Sequence, residues 1–244
     1  MESAAKLITA IGTLLGAIAW PLAIFTLGFL FRNELRFAAK RIPSFMDRVR
    51  KMKIAGIEAE LDRVADAVKE NEKGTVTPRQ IEIAAKIAIE ADGDLDLAKQ
   101  LDRLCLEYDS LRRSMPAGSD RTQAMTRVVV RMRALAPSLV EFIENYKGSG
   151  SPGSRLAAIA MMQMNPNACD IAWLAERFSV EQPFIFYHAA LALQNMANNA
   201  LSNVEWDHLL GAVQQSLGTI RSFKGNPDQS TIEILELIMS DIRS

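Results

Sequence analysis

The side chains best suited to chemistry are few and lie far apart. His188 and His208 are the only histidines, and Cys105 and Cys169 the only cysteines. None of the four stands in a Cys-x-x-Cys or Cys/His spacing that would bind a metal, and no serine or cysteine nucleophile can be joined to a histidine by spacing. His188 follows Phe184, Ile185, Phe186 and Tyr187, which places it in a packed, partly polar core position. Asp92, Asp94 and Asp96 alternate around Gly93 like the start of a calcium loop. The sixth position is Leu97 instead of glycine, however, and the twelfth is Arg103 instead of a bidentate acid. Acids near the start of a helix account for that cluster. Gly148 to Gly153 lacks the lysine and the preceding strand of a phosphate loop. These residues name no reaction, no metal and no cofactor, and the reading is non-enzymatic.

The most concentrated charge lies in an arginine island. Arg112, Arg113, Arg121, Arg127, Arg131 and Arg133 face only Asp120 within 22 residues, a net charge of +5. Residues 54–244 as a whole carry −7, so the island stands in an acidic surround. The guanidinium fork suits carboxylate or phosphate, and Arg127 and Arg131 share a helix face at i, i+4. The island is therefore the candidate partner-binding surface. The competing reading is internal pairing with surplus acids such as Glu107, Asp109 or Glu141. No aromatic residues interleave the arginines, which argues against nucleic acid.

What positions these residues begins with Leu7 to Phe31, 25 positions without a charge. As a helix rising about 1.5 Å per residue, that run reaches about 37 Å, enough to span a hydrocarbon core of about 30 Å. It is too long for a secretory signal core and meets Arg32 without a small-residue cleavage site. Residues 1–31 are thus expected to form a single retained transmembrane helix in the inner, cytoplasmic membrane. Eight cations stand against Glu34 and Asp47 in residues 32–53, a net of +6, while only Lys6 precedes the run. That imbalance predicts an external amino terminus and a cytoplasmic carboxyl-terminal domain. The cations would be drawn to anionic headgroups. Gly12 and Gly16, four apart in the span, suit close helix pairing and a homo-oligomer.

Residues 32–73 read as a basic juxtamembrane segment followed by a short stalk. Ile54, Ile57, Leu61, Val64 and Val68 follow a 3-4-3-4 spacing, the seam of a two-heptad coiled coil. An amphipathic helix packed on the downstream domain fits the same spacing. Beyond it, helical periodicity predominates and no period-two alternation persists, so the chain is expected to be all-α with about eight helices after the stalk. Thr77-Pro78 reads as an N-cap followed by proline at the first helical position. Helices are expected from Asp94, from Asp120 to Ala136, from Arg155 to Met164, over Ala168 to Phe178, Pro183 to Asn198, Asn203 to Ser222 and Ser230 to Ile242. The GSGSPGS stretch, residues 148–154, reads as a flexible linker dividing lobe 1 (74–147) from lobe 2 (155–244).

Within lobe 2, Arg155-Leu156-Ala157-Ala158, Pro166, Trp173-Leu174 and the run from His188 to Leu193 resemble a HEAT-like helical repeat. No second copy recurs at a fixed period. The resemblance implies stacked helix pairs and protein binding. The wider pattern is similar to small bacterial single-pass membrane proteins with a cytoplasmic helical domain. The function expected is a membrane-tethered interaction module, acting as adaptor, sensor or regulatory subunit. The alternative is a membrane-perturbing effector that clusters through its transmembrane helix when the soluble domain is triggered.

Overall fold

The structure, a computed structural model, describes residues 51, 54–63, 65, 76–90, 94–199, 202–224 and 228–241. The expected anchor with Gly12 and Gly16, the basic segment up to residue 50, and Val64 and Val68 of the seam lie outside these residues. Among the described residues no helix is long and apolar enough to cross a membrane.

Contacts divide the chain into two units, Met1–Gly56 and Ile57–Ser244. In the first, Lys51 and residues 54–56 are described, and all are helical. The second is all-helical among its described residues. Its elements are α1 (Pro78–Glu90), α2 (Asp94–Ser114), α3 (Ser119–Leu135), α4 (Ile143–Lys147), α5 (Pro152–Met164), α6 (Ile171–Val180), α7 (Pro183–Ala197), α8 (Asn203–Ser222) and α9 (Gln229–Asp241). Short 3-10 turns at Ala136–Ser138, Val140–Phe142 and Pro166–Ala168 join some of them.

The helices begin where short polar residues can take up free backbone donors. Thr77 Oγ1 accepts from Gln80 N at 3.3 Å ahead of Pro78, and Asp170 Oδ1 accepts from Trp173 N at 3.0 Å at the head of α6. Ser202 and Glu205 form a reciprocal capping box on α8. Proline at the first position starts α5 and α7.

The odd-numbered helices form one row: α1 packs on α3, α3 on α5, α5 on α7 and α7 on α9. Each of α2, α4, α6 and α8 packs against the odd helix that follows it, and α6 also packs against α8. The middle of the row is the core. On α5, every residue from Leu156 to Gln163 is buried, and on α7 so are Ile185, Phe186 and His188 to Leu193. Truncating one such leucine to alanine costs about 2–5 kcal/mol in general. Small residues let the row close up: Ala157, Ala158 and Ala160 of α5, and Ala189, Ala190 and Ala192 of α7, are all buried.

The stretch expected as a flexible linker is fixed in place. Residues 148–154 do not separate two lobes, since Ile57–Ser244 is one compact unit. Helix α5 starts inside this stretch with Ser151 as its N-cap, accepting from Ser154 N at 3.3 Å. Asp109 of α2 takes a bond from Ser151 Oγ at 2.6 Å and another from Gly153 N at 2.9 Å. Gly153 lies so close to α2 that a Cβ there would sit 2.2 Å from the Cys105 carbonyl oxygen. Glycine is needed here for close approach of two backbones, not for slack.

Of the expected stalk seam, Ile57 and Leu61 are buried in the core cluster that also holds Ile87, Leu97 and Leu101, and Ile54 is half-buried. The side chains of Ile57 and Leu61 are therefore not available to a second chain. Ion pairs from the same segment reach three helices: Glu60 to Lys86 of α1 at 3.1 Å, Glu58 to Arg103 of α2 at 3.6 Å, and Asp62 to Arg131 of α3 at 3.7 Å. This is the packed amphipathic helix that the spacing equally allowed.

Candidate functional site

The arginine island spans the end of α2 and the length of α3, and the fold sends its six members to different fates. Arg112 and Arg113 close the last turn of α2, where a cation meets the free carbonyl end of the helix dipole. Arg113 is exposed and Arg112 half-exposed. Arg121, near the start of α3, turns back to donate to the Met115 carbonyl at 3.2 Å, so it closes the turn between the two helices. Arg127 is exposed on α3. Arg131 is half-buried and donates to both Glu107 carboxylate oxygens at 3.1 Å. The internal pairing weighed from sequence thus holds for Arg131, with Glu107 as partner.

Arg133 departs furthest from expectation, being wholly buried instead of part of a surface. Its Nε donates to Gln163 Oε1 of α5 at 2.6 Å, and its Nη2 lies 3.3 Å from His188 Nδ1 of α7. Gln163 Nε2 in turn donates to the His188 carbonyl at 2.6 Å. Asn195 Nδ2 donates to the Gln163 carbonyl at 3.1 Å. Three successive helices of the row are joined by this polar chain. Burial brings the Arg133 guanidinium down to about 10, still protonated at neutral pH. Burial and then the adjacent Arg133 charge hold His188 well below the usual histidine range. The six arginines therefore do not make one patch. Arg113 stays on the surface, Arg112 is half-exposed and acts on the buried Tyr108 hydroxyl, and Arg121, Arg131 and Arg133 serve the fold.

The sequence reading missed the Arg133–Gln163–His188 chain, although one signal was present. Arg133 stands four residues after Val129 and eight after Met125, and both are buried. Helical spacing therefore puts the arginine on the apolar face. A polar partner had to be supplied from across that face, and nothing in the sequence names Gln163.

A second polar cluster ties α4, α5 and α6 together. The Glu181 side chain, 2 % exposed at the end of α6, is paired with Arg155 of α5 and lies 3.6 Å from Arg177. Arg177 stacks on the Trp173 ring at 4.5 Å, and Lys147 of α4 lies 6.0 Å from the same ring. Lys147 also pairs with Asp170 at 2.8 Å.

Nucleophilic chemistry at the two cysteines is disfavoured by their surroundings. Both are free, and burial pushes each thiol up to about 12, so they stay protonated at neutral pH. Among the described residues no group of His, Cys, Asp and Glu is placed to hold a metal ion. Compared with known protein families, with curated proteins and with solved structures, the chain matches none.

Proposed function

We propose that the chain is a membrane-tethered protein-interaction module, with its helical domain on the cytoplasmic side and no catalysis of its own. The observation that carries this reading is the row α1–α3–α5–α7–α9. Helices that pack chiefly on their neighbours in a row present an extended surface, the kind that stacked-helix scaffolds use for partners. Its centre, α5 to α7, is the part whose sequence resembles a HEAT-like repeat. The tether is the Leu7–Phe31 run, and the +6 flank after it sets the orientation. Arg112 and Arg113, in the last turn of α2, give the domain a cationic edge for an acidic partner segment.

The test places a photocrosslinking side chain at Ser114, an exposed position beside Arg113, in the full chain in its membrane. Discrete protein adducts are expected. They should disappear in the Arg112→Glu, Arg113→Glu double variant and weaken with added salt, because exposed charges are screened over about 8 Å at physiological ionic strength. An adduct pattern unchanged by the double reversal rejects this surface. A reporter fused after Ser244 checks orientation independently, and activity only outside the cytoplasm would overturn it. Self-association is proposed to run through Gly12 and Gly16. Replacing both with isoleucine should lower the oligomeric state in detergent, and an unchanged state removes that role.

A further inference from the structure

Arg133, Gln163 and His188 come from α3, α5 and α7, and all three side chains are shut off from water. A guanidinium offers donors only. The ring nitrogen facing it at 3.3 Å, Nδ1, must therefore present a lone pair. The neutral ring then carries its proton on Nε2, which has no hydrogen-bond partner. Both nitrogens thus sit in surroundings that suit the uncharged ring and oppose the imidazolium.

We propose that His188 and Arg133 form an acid-operated latch across α3, α5 and α7: neutral His188 closes the row, and a proton on it opens the row. Protonation at Nδ1 removes the acceptor that faces Arg133 Nη2 and sets two cations side by side where water cannot screen them. Among the described residues, the groups that face the ring add no carboxylate to the His188 nitrogens. From α5 comes Gln163, whose amide is engaged by Arg133 and by the His188 carbonyl. Phe184 and Tyr187 of α7 meet the ring edge-on, at 4.7 and 5.4 Å between centroids. Tyr108 of α2 packs behind Phe184 at 5.8 Å. Asp228, just before α9, acts on Tyr187, and Glu181 at the end of α6 is held by Arg155 and Arg177.

The direction of the effect follows from linkage. In the unfolded chain His188 titrates at about 6.5, and in the folded chain well below its usual value. Its contribution is fully present above the unfolded value and is lost as pH falls beneath it, because the unfolded state binds the extra proton. The loss approaches tenfold in the folding equilibrium per pH unit. What opens is apolar: the faces of α5 and α7 carry Leu156, Ile159, Met162 and Ile185, all buried in the closed row.

The full chain in detergent micelles is unfolded with urea at pH 7.5 and at pH 5.0, as wild type, His188→Gln and His208→Gln. His208 is exposed on α8 and serves as the control. Wild type and His208→Gln should each lose about 30-fold more in folding equilibrium than His188→Gln between the two pH values. Equal losses in all three overturn the proposal. Should His188→Gln not fold at pH 7.5, histidine-labelled wild type is followed by NMR, with His208→Gln giving the assignment. A His188 ring signal that holds its position down to the acid transition supports the latch. One that titrates at an ordinary value in the folded chain overturns it.

Discussion

Gly153 has no side chain because the fold leaves no room for one. The position where a Cβ would stand is occupied by the Cys105 carbonyl group. Gly153→Ala should therefore force α5 away from α2 and lower stability by about 1–3 kcal/mol, the scale of overpacking in a close-packed interior. Urea denaturation at neutral pH measures it. Gly150 has open space around it, so Gly150→Ala should leave stability within about 0.5 kcal/mol. The arginines divide in the same way. Arg131→Glu would set a new carboxylate against Glu107 and Asp62 and should cost about 1 kcal/mol or more, given that the Arg131 side chain is 23 % exposed. Arg113→Glu, on the surface, should leave the melting temperature nearly unchanged. Equal destabilisation by both substitutions would mean that the surface arginine is also engaged in the fold.

At the scale of elements, the boundaries that local chemistry fixes were the legible ones. Thr77-Pro78, Pro183 and the Asn203–Ser222 helix fall where capping residues and proline put them. The start of α5 was not legible, because Ser-Pro-Gly serves a linker and a helix start equally well. Only the backbone of α2, far away in sequence, decides between them. The same holds for Ile57 and Leu61, whose spacing suits a partner helix in another chain or in the same one. The arginine island was legible as charge but not as a site, since burial of Arg133 depends on Gln163 and His188, 30 and 55 residues away. Helices α5 and α6 hold one element-scale prediction. Glu181 receives Arg155 and Arg177 with its carboxylate almost fully covered. Glu181→Ala removes the buried carboxylate that Arg155 and Arg177 share, Arg177 keeping Glu176, and should cost about 3 kcal/mol, the scale for breaking a buried ion pair. Thermal unfolding of this variant beside Glu233→Ala, an exposed position on α9 outside this cluster, separates the buried pairing from general charge loss.

Across the whole molecule, a row of helices couples each element mainly to its neighbours, so cooperativity should fall away from the middle. Native-state hydrogen exchange is expected to show the slowest amides in α5 and α7 and faster opening in α9, which packs on α7 and α8 alone among its principal contacts. Uniform protection from α2 to α9 would show that the domain opens only as a single block. The turn from Ser149 to Gly153 also decides where this chain can be cut and rejoined. Its composition invites a protease site, an inserted tag or new termini, and exposed slack loops accept all three. Here Asp109 holds the turn through Ser151 and Gly153, and Arg155 donates to the Ser149 carbonyl at 3.0 Å. A nick would have to unseat α5 from the centre of the row before an enzyme could reach the backbone. Two fragments made by dividing the gene at this point would each carry half of a single core, and neither would stand alone.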